Sequence, residues 1–336
     1  MLSAPSENET ESHSYGILVG VARSPIRLLR SLVAGLVMLT GAGLIAAMAA
    51  GCRGPGASVA GAAPGQLQVA AAESFWGSIA SQLGGDRVQV ATVLTNPNTD
   101  PHAYEPTASD AIAFARSQMA IVNGIGYDAW ASKLVAANPS DSRIVLNVGD
   151  ALGLKAGDNP HQWYSPSSVQ RVIVRIVADY KRLDPADSGY FEQHLIAFQT
   201  RGLAEYNRLI GEIRSRYEGV PVGYSESIFA PLGAALGLKL LTPPSFAKAI
   251  AEGTDVSASD AQTVDSQAQT RQIKVWVYNS QNATPDVQRV NDLARAAGVP
   301  IATVTETLSP ASATFEQWQS AQLESLEQAL HRATGR

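Results

Sequence analysis

Two histidines in this 336-residue chain follow prolines in similar settings. His102 lies in Asp100-Pro101-His102-Ala103-Tyr104-Glu105-Pro106-Thr107-Ala108-Ser109-Asp110, and His161 in Asn159-Pro160-His161-Gln162-Trp163-Tyr164-Ser165-Pro166. Proline fixes its own φ and biases the residue before it toward extended backbone. Asp-Pro and Asn-Pro therefore read as turns that hold an imidazole at a loop tip. Two such histidines far apart in the chain suggest a shared site, and imidazole is the commonest protein ligand for transition metals. Two carboxylates complete the set: Glu226 follows a strand expected at residues 220–223, and Glu306 one expected at 301–305. Two neutral imidazoles and two carboxylates neutralise a divalent cation. Nitrogen and oxygen donors without a thiolate suit manganese or zinc. Both imidazoles must be neutral to ligate, so affinity is expected to fall below about pH 6.5, the reference imidazole value.

Alternating strands and helices position these residues. Strands are expected at residues 67–71, 88–94, 119–123 and 143–148, with helices at 75–83, 109–117, 129–136 and 167–181. Ser109 or Asp110 is the expected cap of the second helix. Phe191, Leu195, Phe198, Tyr206, Leu209, Ile213 and Tyr217 then recur at helical spacing with a gap near Gly202. That pattern predicts one amphipathic helix about 50 Å long. Strands at 220–223, 239–241, 275–278 and 301–305 alternate with helices at 228–236, 259–269, 286–297 and 314–333. The fold class is α/β, with two lobes, each a parallel-type sheet flanked by helices, joined by one long rigid helix. The expected divisions are residues 1–52, a tether at 53–66, a first lobe at 67–184, the connecting helix at 185–218 and a second lobe at 219–336. Each lobe is long enough to bury its own core. In open α/β sheets ligands sit beyond the carboxyl ends of the strands, where all four candidates fall.

Net charge is −5 and the pI is near 5.6, so the chain carries no basic footprint for nucleic acid. Cys52 is the sole cysteine, which excludes an internal disulfide. Arg23, Arg27 and Arg30 precede an apolar run at 32–50, and Ala49-Ala50-Gly51-Cys52 closes it. Basic residues, an apolar stretch and small residues make an export signal. The terminal cysteine resembles the lipobox of bacterial lipoproteins, where it is lipidated, although Ala49 stands where leucine is usual. The run also has about the twenty residues of a membrane span, so an uncleaved anchor remains open. Either way the rest of the chain lies outside the cytoplasm if the arginines stay inside. The Gly, Ala, Pro and Ser of residues 53–66 make a flexible tether.

Taken together, these segments resemble the metal-binding solute receptors of bacterial ABC importers, the zinc- and manganese-binding lipoproteins also called cluster A-I. The resemblance covers residues 67–331. It is carried by Gly84-Gly85-Asp86, the run from Asp100 to Asp110, Asn123-Gly124, the run from Asn159 to Pro166, the long helix, Ser225-Glu226 and Thr305-Glu306-Thr307. It implies that His102 and His161 are the first two ligands. Glu226 matches a third position that is Glu in manganese-type members and His in many zinc-type members. Glu306 falls where the family usually has Asp, and Asn159 also replaces a usual Asp. Glu105 is implied to support its loop, and Asp100 to orient it. His194 and His331 are expected to be packing or surface residues. The chain has five histidines, none clustered, so it lacks the His-rich loop of dedicated zinc members. Glu226 and that missing loop favour manganese.

The resemblance further implies a non-catalytic monomer anchored by Cys52 on the extracytoplasmic face. It would hold one Mn²⁺ or Zn²⁺ between its lobes as cargo for an ABC permease and ATPase, with no nucleic-acid partner. A metal-dependent hydrolase is the alternative of a different class. Such an enzyme keeps an open metal position and a general base. The chain has no His-Glu-x-x-His, Gly-x-Ser-x-Gly or Gly-rich phosphate loop. A surface adhesin or metal chaperone on the same fold stays open.

Overall fold

Short runs of β-branched and small apolar residues build two parallel sheets. The computed structural model describes residues 65–97, 99 and 104–336; Cys52, the apolar run at 32–50, Asp100 and His102 lie outside them. In the first sheet, β1 (Leu67–Glu73), β2 (Val88–Leu94), β3 (Met119–Val122) and β4 (Ile144–Asn147) lie in the order β2-β1-β3-β4. In the second, β5 (Pro221–Tyr224), β6 (Lys239–Leu240), β7 (Val275–Asn279) and β8 (Ile301–Val304) repeat that order as β6-β5-β7-β8. All six pairings are parallel. Every residue of β3 is buried, as expected for a strand covered on both faces. The chain reverses its direction of travel between β1 and β3, and again between β5 and β7. These are the switch points where α/β sheets open a crevice beyond the strand ends.

Helices α1 (Ser74–Gly84), α2 (Ala108–Arg116), α3 (Ala129–Ala137), α4 (Val148–Leu152) and α5 (Pro166–Leu183) cover the first sheet. The connecting segment runs as α6 (Ser188–Ala197), a π-turn (Phe198–Gly202) and α7 (Ala204–Tyr217). A π-turn shifts helical phase, which explains why the apolar spacing jumps between Phe198 and Tyr206. The second lobe adds α8 (Ala230–Ala235), α9 (Pro244–Ala251), α10 (Ala258–Gln269), α11 (Pro285–Ala296) and α12 (Phe315–Thr334).

Three expectations need correction. Thr107, not Ser109 or Asp110, caps α2: its Oγ1 accepts from Asp110 N, while Asp110 Oδ2 accepts from Thr107 N at 2.7 Å. This reciprocal capping box satisfies two orphan donors at once. Residues 244–251 form a helix where none was expected, because Pro244 stands in its first turn, where proline starts a helix rather than breaking it. Nor does each lobe keep a separate core. One buried apolar cluster runs from Val69 and Phe75 through Trp163 and Tyr206 to Phe229, Trp318 and Leu330. The cause is α12, which returns from the second lobe to the first. Phe315 N donates to Ser78 Oγ at 2.9 Å, and Gln82 Nε2 donates to Glu316 Oε2 at 2.9 Å. Smaller clusters around Trp276 and around Phe114 and Trp130 pack outside this shared core.

Candidate metal centre

His161 follows α4 in a loop whose geometry Asn159 sets. Asn159 Oδ1 accepts from His161 N at 3.0 Å and lies 2.8 Å from the ring Nδ1. Amide oxygen only accepts, so Nδ1 carries the hydrogen and Nε2 keeps its lone pair. Nε2 is buried and makes no hydrogen bond among the described residues. Tyr127 and Trp163 meet the ring edge-on, at centroid distances of 5.9 and 5.2 Å, and Phe75 stacks on Trp163 at 3.9 Å. This aromatic wall fixes the imidazole and keeps water off it.

The carboxylates come from the other lobe, beyond the ends of β5 and β8. Glu226 Oε2 accepts from Asn279 Nδ2 at 3.0 Å and Asn282 Nδ2 at 3.1 Å. Glu306 Oε2 accepts from Tyr127 Oη at 3.0 Å, and its Oε1 accepts from Asn279 Nδ2 at 3.1 Å. His161 Nε2 lies 3.6 Å from Glu306 Oε1 and 4.0 Å from Glu226 Oε1. One ligand atom from each of the three residues lies within 4.8 Å of the others. A tetrahedral ion with bonds of about 2.1 Å separates its donors by about 3.4 Å. The two separations from His161 Nε2, 3.6 and 4.0 Å, exceed that spacing by only about 0.2 and 0.6 Å.

Burial governs the charges. His161, Glu226 and Glu306 are 0%, 2% and 7% exposed. Burial pushes the His161 pKa down to about 4, against the opposing pull of Glu226. The expected protonation near pH 6.5 therefore does not apply to His161, whose imidazole stays neutral well below that value. Burial, followed by the Glu306 charge and a hydrogen bond to it, pushes Glu226 up to about 8. At neutral pH the metal-free centre thus holds a proton on Glu226, and a cation entering would displace it.

The three residues line a cleft of about 730 Å³ together with Pro97, Thr99 and Tyr127. His102 lies outside the described residues. Tyr104 Oη donates to Asp110 Oδ2 at 2.7 Å, and its ring packs edge-on against Trp130 at 4.9 Å. Glu105 is exposed. His194 is a packing residue: its Nδ1 lies 3.0 Å from Gln82 O, and its ring lies against Tyr190. His331 sits at the C-terminus with Nδ1 against Arg336 O. Sequence reasoning missed Tyr127, Asn279 and Asn282, which hydrogen-bond the carboxylates. Each follows β3 or ends or follows β7, so the strand-end rule that found Glu226 and Glu306 could also have found them.

The two parallel sheets thus flank one cleft lined by residues of both lobes. The chain belongs to the family described as "ZnuA: Zinc-uptake complex component A periplasmic", whose model matches residues 69–329. Among curated proteins it is similar to the manganese-binding lipoprotein MntA of Halalkalibacterium halodurans, with 32% identity over 146 residues, covering 42% of this chain and 48% of that protein. It is also similar to the iron-binding protein YfeA of Yersinia pestis, with 26% identity over 172 residues, covering 48% of this chain and 54% of that one. These matches span about half the length of the curated relatives. A periplasmic metal-binding protein from Candidatus Liberibacter asiaticus superposes with a TM-score of 0.66 at 21% identity, covering 79% of this chain and all of that one. FpvC of Pseudomonas aeruginosa, solved with Mn²⁺, gives 0.63 at 19% identity over 80% of this chain and 99% of its own. At that identity the structural likeness shows a shared fold.

Proposed function

We propose that this chain is an extracytoplasmic receptor that captures one divalent transition-metal ion between its lobes and delivers it to an ABC permease. The observation that carries this reading is the convergence of His161 Nε2, Glu226 and Glu306 from opposite sides of one cleft. His102, outside the described residues, is the fourth ligand in this reading. Two imidazoles and two carboxylates balance a 2+ charge, and four protein ligands leave no open position for a substrate. The chain is therefore read as a carrier rather than a hydrolase. The relatives' names point the same way: a manganese-binding lipoprotein and an iron-binding protein. Cys52 is the lipid attachment point, and residues 53–66 tether the folded body to the membrane.

Manganese is the cargo the donor set favours, because two hard carboxylates and no thiolate suit it. Zinc binds more tightly to most such sites in vitro, so affinity alone does not identify the cargo. Anomalous diffraction from crystals grown with Mn²⁺ tests the site. The expected result is one ion bonded to His102, His161, Glu226 and Glu306; an ion placed elsewhere would refute the assignment. Metal analysis of protein from its native host then separates manganese from zinc.

A further inference from the structure

The switch point of the first sheet holds a second acidic pair that the metal centre does not use. Glu73 ends β1, just as Glu226 follows the equivalent strand β5 in the second sheet. Its carboxyl is fully buried beside Asp128, which is also fully buried. Apart from Asp128 and its own backbone, no group among the described residues hydrogen-bonds the Glu73 carboxyl. Two buried carboxyls side by side cannot both ionise, so the pair holds one proton. Asp128 is the partner that keeps its charge, because it accepts from Asn123 N at 2.6 Å and Gly124 N at 2.8 Å. Glu73 is then the protonated donor.

The turn clamped in this way is strained. Gly124, Ile125 and Gly126 all have positive φ, at 70°, 61° and 88°, and a β-branched residue rarely adopts such a value. Strain of this kind persists only where the surroundings over-determine it. The same turn reaches two of the metal-centre residues. Asn123 Nδ2 donates to Pro160 O at 3.0 Å, one residue before His161. Tyr127 Oη donates to Glu306 Oε2. Trp76 Nε1 donates to Asn123 Oδ1 at 3.0 Å and holds that side chain in place.

We infer that Glu73 and Asp128 are a positioning pair, which fixes the turn at residues 123–128 so that Asn123 and Tyr127 set the separation of His161 and Glu306. This rests on the metal reading above. Neither acid touches the ion, and both act through the turn.

The test measures Mn²⁺ and Zn²⁺ affinity of the full chain by chelator competition, at a temperature well below unfolding, with the visible spectrum of the Co²⁺-loaded protein alongside. Glu73→Gln keeps a donor toward Asp128 and should bind within about threefold of wild type, whereas Glu73→Ala and Asp128→Asn should lose about 10–100-fold. The Co²⁺ spectrum should change in the two damaging variants and not in Glu73→Gln. Folded Glu73→Ala and Asp128→Asn proteins with wild-type affinity and spectrum would show a purely structural role and overturn the proposal. So would a Glu73→Gln variant as impaired as Glu73→Ala. If Glu73→Ala and Asp128→Asn fail to fold, infrared spectroscopy on the metal-loaded protein decides, because the ion has then removed the proton from Glu226. A protonated-carboxyl stretch should persist at neutral pH and vanish in Glu73→Gln; its absence from wild type overturns the pair. Wild-type protein that binds no metal defeats the metal reading and this proposal with it. Normal binding in wild type with unaffected variants defeats this proposal alone.

Discussion

Asn159 Oδ1 lies 2.8 Å from His161 Nδ1, and this contact decides which nitrogen of the ring faces the cleft. A carboxylate at this position would make the imidazole more basic; the neutral amide orients it with less electronic gain. Asn159 also donates through Nδ2 to Ser227 O at 2.7 Å, so the residue that orients one lobe's ligand is tied to the other lobe.

Removing that group should weaken the site without removing a ligand. Asn159→Ala should lower metal affinity about 10–100-fold. Asn159→Asp should restore the orientation. Chelator competition measures both, and an Asn159→Ala protein with unchanged affinity would show that the ring orientation does not depend on this contact.

Proton release should accompany binding. The Glu226 pKa is raised to about 8, so at pH 7 the metal-free centre is mostly protonated there and an incoming cation displaces that proton. Affinity should rise between pH 6 and 8, by up to about tenfold per unit for one proton, and level off above. His161, with its pKa lowered to about 4, contributes nothing in this range. Calorimetry in buffers of different ionisation enthalpy counts the protons. Binding at pH 7 with no proton released would contradict the assignment of Glu226.

The same shift bears on the stability of the metal-free protein. Glu226 has a higher pKa folded than unfolded, so its contribution is complete below the unfolded value and is lost as pH rises toward about 8. His161 has a lower pKa folded than unfolded, so its contribution is present above the unfolded imidazole value and lost as pH falls toward about 4. The two oppose each other below about pH 6.5, the unfolded imidazole value. Above it only the Glu226 effect remains of these two. The Tm of metal-free protein should therefore fall between pH 6.5 and 8, and Glu226→Gln should flatten the fall. Thermal melts across that interval check both statements.

The shared core predicts that the lobes unfold together. Phe75 and Trp163 stack beneath His161, and the same cluster reaches Trp318 and Leu330 in α12. Phe75→Ala should cost about 3–5 kcal/mol and should lower one cooperative transition rather than detach the first lobe. Two resolved transitions in calorimetry of residues 58–336 would mean that the lobes are independent after all.

The strand and helix order was legible in the sequence because both sheets are parallel and their central strands are buried. Their apolar runs, such as residues 119–122, are separated by amphipathic helices. His161, Glu226 and Glu306 were legible because each stands just past a strand or in a proline-led turn. The supporting contacts were not. Nothing local in Tyr127 says that its hydroxyl meets Glu306, 179 residues away. Nor does the 73rd residue, at the end of an apolar strand, announce an acid partner at 128. The return of α12 onto α1 was hidden for the same reason: it depends on tertiary packing that no short window encodes.

Metal stoichiometry with paired variants tests the central claim most directly. Full-length protein loaded with Mn²⁺ or Zn²⁺ and freed of excess ion should retain one ion per chain. His161→Ala and Glu226→Ala should each lose that ion under the same conditions while keeping a wild-type circular dichroism spectrum, and His194→Ala should retain it. Retention of one ion by folded His161→Ala and Glu226→Ala, or two tightly held ions in wild type, would contradict a single centre built on these residues.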